Sequence, residues 1–390
     1  MKKKFALISA ILCFSLTLNA CSNTKDNDGE QLDNSINSTG KDEYNTQNKL
    51  EVLRPAAYGN VEGLSLEPGS CISIIGRYSD DSYWKEVEEG AKQAVADINN
   101  MLKYKGDDKV KLSFIAPEVR DDVDEQVSIL DEELDRYPIA IGIAAIDTSA
   151  CSIQFDLAAE NGIPIITFDS GSEYKHIASH ISTNNIEAAE TAACKLAYAM
   201  EEEGEIAVFV QDSLSMTAKE RLKGFTKTLK SKFPDISVSN VYRLDELATM
   251  QQTIAAEKNA SLAEGEEALD PESITQEDVV KYILEKYPNL KGIYATNLDT
   301  TQLVADVLDE LEQKDLKFVG FDGGEEQMKL LEEDVLEGLI IQNPYGMGYA
   351  TVVAAARVSL GLGNESFVNC GYTWVTKDNM DSAEIKEMLY

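Results

Sequence analysis

The segment Arg77-Tyr78-Ser79-Asp80-Asp81-Ser82-Tyr83-Trp84 gathers a guanidinium, two carboxylates and two adjacent aromatic rings within eight residues. This is recognition chemistry. The rings offer flat hydrocarbon at little entropic cost, and the charged groups offer planar, paired hydrogen bonds. Tyr83 and Trp84 would serve equally as the first core turn of a helix, so the segment alone leaves both roles open. Catalytic material is scarce by comparison. The only histidines are His176 and His180, no serine sits in a GxSxG elbow, and no carboxylate pair stands out.

The elements that must position this turn are legible on either side of it. Ile72, Ile74 and Ile75 form a β-branched run without charge, suited to a parallel strand covered on both faces. After the turn, Trp84, Val87, Ala91, Ala94, Val95 and Ile98 recur at steps of three and four and predict one buried helical stripe, capped by Ser79 or Asp80. In open α/β sheets ligands lie beyond the carboxyl ends of the strands, which is where Arg77 to Trp84 falls.

The same alternation continues along the chain. Strands are predicted at 110–116, 139–145, 163–168, 177–182, 206–211, 236–241, 292–295, 317–321 and 339–342, with helices including 123–134, 187–200, 219–229, 278–286, 300–312 and 347–360. The fold class is α/β with parallel sheets. Residues 255–270 break the rhythm: they are acidic, lack a strand signal and end in Asp270-Pro271, so they read as a surface insertion.

Ahead of this body, residues 1–20 have three lysines and an apolar run and lead into Leu18-Asn19-Ala20-Cys21, the pattern of a secretory signal. That ending resembles a lipoprotein signal, which implies lipidation of Cys21 and a membrane tether. Residues 21–70 read as a disordered tether and looser approach segment, with the folded part beginning close to Cys71. About 320 residues then remain, enough for two lobes. The formal charge of -34 argues against nucleic acid or anionic lipid as partners. Cys71, Cys151, Cys194 and Cys370 show no metal-like spacing; they allow three disulfide pairings or four free thiols.

Six motifs follow one another in order along the chain. They are Tyr83-Trp84 ahead of Glu88-Glu89-Gly90-Ala91; Ile163-Pro164-Ile165-Ile166-Thr167-Phe168-Asp169; Lys219-Glu220-Arg221-Leu222-Lys223-Gly224-Phe225; Ala295-Thr296-Asn297; and Val319-Gly320-Phe321-Asp322-Gly323 with Ile341-Gln342-Asn343-Pro344. Together, residues 72–360 resemble the ribose-type periplasmic binding proteins, whose fold is shared by the effector domain of LacI-type repressors. The resemblance implies two Rossmann-like lobes joined by a three-crossing hinge, the type 1 periplasmic binding fold. It places the lobes at 71–181 plus 343–365 and at 182–342 plus 366–390, with crossings near 179–185, 341–346 and 365–372.

By the same resemblance, Asp81, Tyr83, Trp84, Asp169, Arg221, Asn297, Asp322 and Gln342 form the ligand site. Their chemistry agrees: Asp, Asn, Gln and Arg engage paired hydroxyls, and aromatic rings cover the apolar faces of a sugar. Singly, each polar residue also has an ordinary structural role: Asp322 as a turn, Asn297 as a helix cap, Arg221 as a solvated charge. One departure matters. The sugar binders commonly carry Asp-Arg where this chain has Asp169-Ser170, so either the ligand is richer in donors, such as an amino sugar, or Arg77 replaces the lost guanidinium. The expected function is that of an extracytoplasmic lipoprotein that captures a sugar-like ligand for an ABC permease, as a monomer and without a cofactor. A ligand sensor of the same fold acting on a membrane kinase or chemoreceptor is the alternative, and an exported enzyme is weaker. The export signal and the lack of a DNA-binding headpiece exclude a repressor.

Overall fold

The computed structural model describes residues 47–263, 267–313 and 315–390. The expected signal peptide, Cys21 and the expected tether up to residue 46 lie outside the described residues. The chain forms two six-stranded sheets. The first uses β1 (Cys71–Ile75), β2 (Lys111–Ile115), β3 (Ala140–Ile143), β4 (Ile165–Phe168), β5 (His180–Ser182) and β11 (Phe367–Asn369), in the order β11-β5-β4-β3-β1-β2. The second uses β6 (Gly204–Val210), β7 (Ile236–Arg243), β8 (Leu290–Ala295), β9 (Lys317–Phe321), β10 (Gly338–Gln342) and β12 (Tyr372–Val375), in the order β12-β10-β9-β8-β6-β7. All pairs are parallel except β10 with β12. Each sheet therefore has a doubly wound order whose direction reverses beside its first strand, between β1 and β3 and between β6 and β8.

The strands form where the sequence is β-branched and uncharged because both faces are covered. Ile72, Ile74 and Ile75 are fully buried, as are Ile206, Ala207, Val208 and Phe209. Helix Val123–Leu134 matches its predicted bounds, and the other predicted helices are displaced by no more than three residues at either end. Helix Ser82–Leu102 packs against helix Pro344–Ser359 at very close range. A Cβ at Gly90 would meet the carbonyl oxygen of Tyr345 at 2.0 Å, and one at Gly348 would meet that of Val87 at 1.9 Å, so these two positions admit only glycine.

The chain passes between the sheets three times: at Thr183–Asn184 after β5, at Asn343 after β10, and at Cys370–Gly371 between β11 and β12. The third passage differs from the expected lobe boundary at residue 366. Phe367–Asn369 pairs with His180–Ser182 in the first sheet, so that strand belongs there and the chain leaves only after Asn369. Neither β11 nor β12 was predicted, since both are short and lie at sheet edges.

Three other expectations are corrected. The folded body does not begin at Cys71, because Leu53, Tyr58, Leu64 and Leu66 are buried in the first core. The Tyr58 hydroxyl fixes this segment by accepting from Glu365 N at 2.7 Å. The helix cap is Asp81, not Ser79 or Asp80: its carboxylate accepts from Tyr83 N at 2.8 Å. The expected insertion at 255–270 lies at the surface as read, but it opens with the last turns of helix Leu247–Ala260, whose Ala255 is buried against the second core. Asn259 then braces the returning chain through both backbone groups of Leu269, at 2.7 and 3.0 Å. Cys71, Cys151, Cys194 and Cys370 are all free thiols.

Candidate ligand-binding site

The carboxyl ends of both sheets face one cleft, and all eight of the expected residues line it: Asp81, Tyr83, Trp84, Asp169, Arg221, Asn297, Asp322 and Gln342. Asp169 follows β4 and Asp322 follows β9, both with left-handed backbone at φ 52° and 75°. Asparagine and aspartate tolerate that region better than other side chains, and here it turns each carboxylate inward at a strand end.

Arg221 is not a solvated helix charge. It is 2% exposed, and its guanidinium lies 3.8 Å above the ring of Phe321. Its Nε donates to Asn185 Oδ1 at 2.8 Å and its Nη1 to the carbonyl of Thr296 at 2.7 Å. This fixes one positive charge between the two lobes' carboxylates. Burial raises the pKa of Asp169 and of Asp322, and in each case the Arg221 charge is the largest opposing influence.

Gln342 donates through Nε2 to Asp322 Oδ1 at 2.7 Å, and Asp322 Oδ2 accepts from Leu298 N at 3.0 Å. The amide oxygen of Gln342 is buried without a hydrogen-bond partner among the described residues. Such an acceptor is costly until a donor reaches it. Tyr83 donates its hydroxyl to Asp169 Oδ1 at 2.8 Å; burial and then the Asp169 charge raise the phenol's pKa.

Two of the expected residues are committed elsewhere. The side chain of Asn297 caps helix Leu298–Glu310 by accepting from Thr300 N at 3.0 Å, and its Nδ2 donates to Asp299. Asp81 caps its own helix and pairs with Arg120 Nη2 at 2.7 Å. Trp84 is mainly core: it is 7% exposed, and its ring meets Tyr83 and Phe168 edge-on, with centroids at 5.2 and 6.2 Å. The core role considered for the aromatic pair therefore holds for Trp84, and Tyr83 turns its hydroxyl to Asp169 in the cleft.

Arg77 lines the cavity but is not free to replace the guanidinium missing at Ser170. It binds Asp121 through Nε at 3.0 Å and reaches Asp212 of the second lobe at 3.3 Å. Burial works against its charge, but Asp121, Asp212 and Asp169 outweigh that and keep it protonated. Ser170 itself accepts from Met216 N across the cleft at 3.2 Å. Arg120 spans the lobes too, joining Asp81 to Asp299 at 2.7 and 3.2 Å. Arg120, Asp299, Gln211, Thr217 and Tyr390 were not foreseen as site residues. Arg120 and Asp299 carry no local motif, and Tyr390 lies 68 positions beyond Asp322 with nothing in its own segment to place it there.

A profile of the periplasmic binding protein domain matches residues 72–363. The chain belongs to the periplasmic binding protein family, of the ribose type. Among relatives of this family, the ribose import binding protein of Bacillus subtilis is 20% identical over 250 residues, covering 64% of this chain and 72% of that protein. The ribose import binding protein of Escherichia coli is 24% identical over 215 residues, covering 55% of this chain and 64% of its own length. Among solved structures, a carbohydrate transporter solute binding protein from Agrobacterium radiobacter in complex with D-arabinose has a TM-score of 0.68 at 27% identity. It covers 84% of this chain and is itself covered completely, at 100%. The arabinose binding protein AraP of Geobacillus stearothermophilus has a TM-score of 0.62 at 26% identity, covering 80% of this chain and 99% of its own. The two parallel-sheet lobes are the fold of periplasmic binding proteins of type 1, as the motif order implied.

Proposed function

We propose that this protein is an extracytoplasmic lipoprotein, anchored through Cys21, that captures a small sugar between its lobes and delivers it as a monomer to an ABC importer. The observation that carries the reading is the buried acceptor set: the unpartnered oxygen of Gln342 beside Asp322, with Asp169 across the cleft. Sugar hydroxyls supply donors to such acceptors, and Arg221 supplies the opposing donor charge. Nothing in the arrangement pairs a nucleophile with a base, and the reading assigns no catalysis. The sugar-binding transport proteins among the relatives support the same conclusion.

The cavity is lined by five aspartates, Asp81, Asp121, Asp169, Asp299 and Asp322, against three arginines, Arg77, Arg120 and Arg221. That surplus favours a ligand with many donors, and amino sugars belong in the same test as neutral ones. Thermal shift of the purified chain against neutral sugars, amino sugars, nucleosides and amino acids separates these. A ligand at a hundredfold its dissociation constant adds about 2.7 kcal/mol to stability. A shift with sugars supports the proposal; a shift confined to amino acids or nucleosides would replace its ligand class.

A further inference from the structure

The chain following β12 returns to the cleft. Helix Ala383–Lys386 buries Ile385 in the second core, and Met388 and Leu389 pack beside it. This docking carries Tyr390 into the site, where its ring meets Tyr83 of the first lobe edge-on, with centroids 5.3 Å apart. Its hydroxyl accepts from Gly323 N at 3.0 Å, beside the Asp322 carboxylate that lines the same cavity.

These contacts are the ones a bound polyol would make. A hydroxyl that accepts from a backbone amide beside a carboxylate does what a sugar hydroxyl does, and an aromatic edge on Tyr83 takes up its apolar surface. At 5.3 Å the two rings touch, so no ligand ring fits between them. The cavity that remains beside Tyr390 is about 80 Å³. Cavities that admit a benzene ring measure about 150 Å³, so a sugar ring does not enter while Tyr390 stays in place.

We propose that Tyr390 is a resident occupant of the site, which a ligand must displace, so that the chain's own ring sets the threshold for binding. The inference rests on the interlobe cleft being the sugar site. Tyr390 is held by one backbone amide and one ring edge and lies partly buried at the margin of the first core, so its release breaks few contacts. A site blocked about nine-tenths of the time binds about tenfold more weakly than the open site.

Calorimetric titration of D-ribose, D-arabinose and D-galactose into the wild-type chain, Tyr390→Ala and Tyr390→Phe tests this. Tyr390→Ala should bind about tenfold tighter, or bind where the wild type does not, and Tyr390→Phe should fall between because it keeps the ring and loses the hydroxyl. Unchanged or weaker binding by Tyr390→Ala would overturn the proposal, weaker binding meaning that the ring is a fixed wall of the pocket. Hydrogen exchange of the wild-type chain without ligand gives a readout independent of any sugar: the Gly323 amide, bonded only to a ring that comes and goes, should exchange faster than the buried amides of β9. If none of the three sugars binds any of the chains, the sugar reading fails for these ligands, and the wild-type exchange result alone decides the resident ring: exchange of Gly323 by local release upholds it, and exchange as slow as the β9 amides rejects it.

Discussion

Asp169 and Asp322 stand at equivalent points of the two lobes, each the first residue beyond a buried strand and each with left-handed backbone, and Arg221 is the main counter-charge to both. The lobes thus meet at a pair of carboxylates sharing one guanidinium. A ligand that donates to both carboxylates would bind the closed arrangement better than the open one, and that difference in affinity is what drives closure.

Asp322→Asn and Asp169→Asn keep the side-chain shape and the tolerance for left-handed backbone but remove a charged acceptor. Each should weaken ligand binding by about 1.5–3 kcal/mol, the usual worth of a hydrogen bond to a charged group. Stability at neutral pH should not fall. Both carboxylates have pKa values raised by burial, so in the folded chain their ionisation costs stability as pH rises above the unfolded value. Calorimetric titration beside thermal unfolding at pH 7 checks the two effects separately; lost stability with retained binding would contradict the assignment.

Trp84→Ala should behave differently. The indole is packed on Phe168 and Tyr83, and the loss should cost about 3–5 kcal/mol, as for other large aromatic truncations in cores. A lowered urea midpoint is the expected result. An unchanged midpoint with lost binding would return Trp84 to the role of a pure ligand contact.

His180 supplies a pH dependence with a definite sign. Burial in the first sheet lowers its pKa to about 4, and one ring nitrogen bonds Thr167 Oγ1 at 2.9 Å. The unfolded chain takes up this proton first, near the ordinary value of about 6.5, so stability is lost as pH falls from there toward 4. His180→Asn should flatten the stability profile in that window relative to the wild type. Parallel profiles would mean that His180 does not contribute.

Cys21→Ser should release the protein from membranes into the soluble fraction, because a lipid on that sulfur is the proposed anchor. Fractionation of cells producing the variant reads this directly. Continued membrane association would remove lipidation at Cys21 from the proposal.

Much of the fold was legible because burial on both faces demands a simple local pattern. Ile163 to Phe168, Ile206 to Gln211 and Lys317 to Phe321 each read as strands from a few apolar residues bounded by polar ones. Leu53, Tyr58, Leu64 and Leu66 were not legible as core, since isolated apolar residues in a polar stretch have no period and are buried only because the first lobe offers a surface to them.

For the site, the sequence by itself determined the residue types at the strand ends: Asp169, Asn297, Asp322 and Gln342 each follow an apolar run, and their chemistry suits hydroxyl groups. It also determined the α/β class and the order of motifs. Only the tertiary structure decided which of these groups remain available. Asn297 and Asp81 cap their own helices, Arg77 is bound by Asp121 and Asp212, and Tyr390 reaches the Gly323 amide across a long sequence separation. The reason is physical: a side chain's type is local, but its free hydrogen-bonding capacity depends on partners brought close by the fold, and sequence distance does not record them.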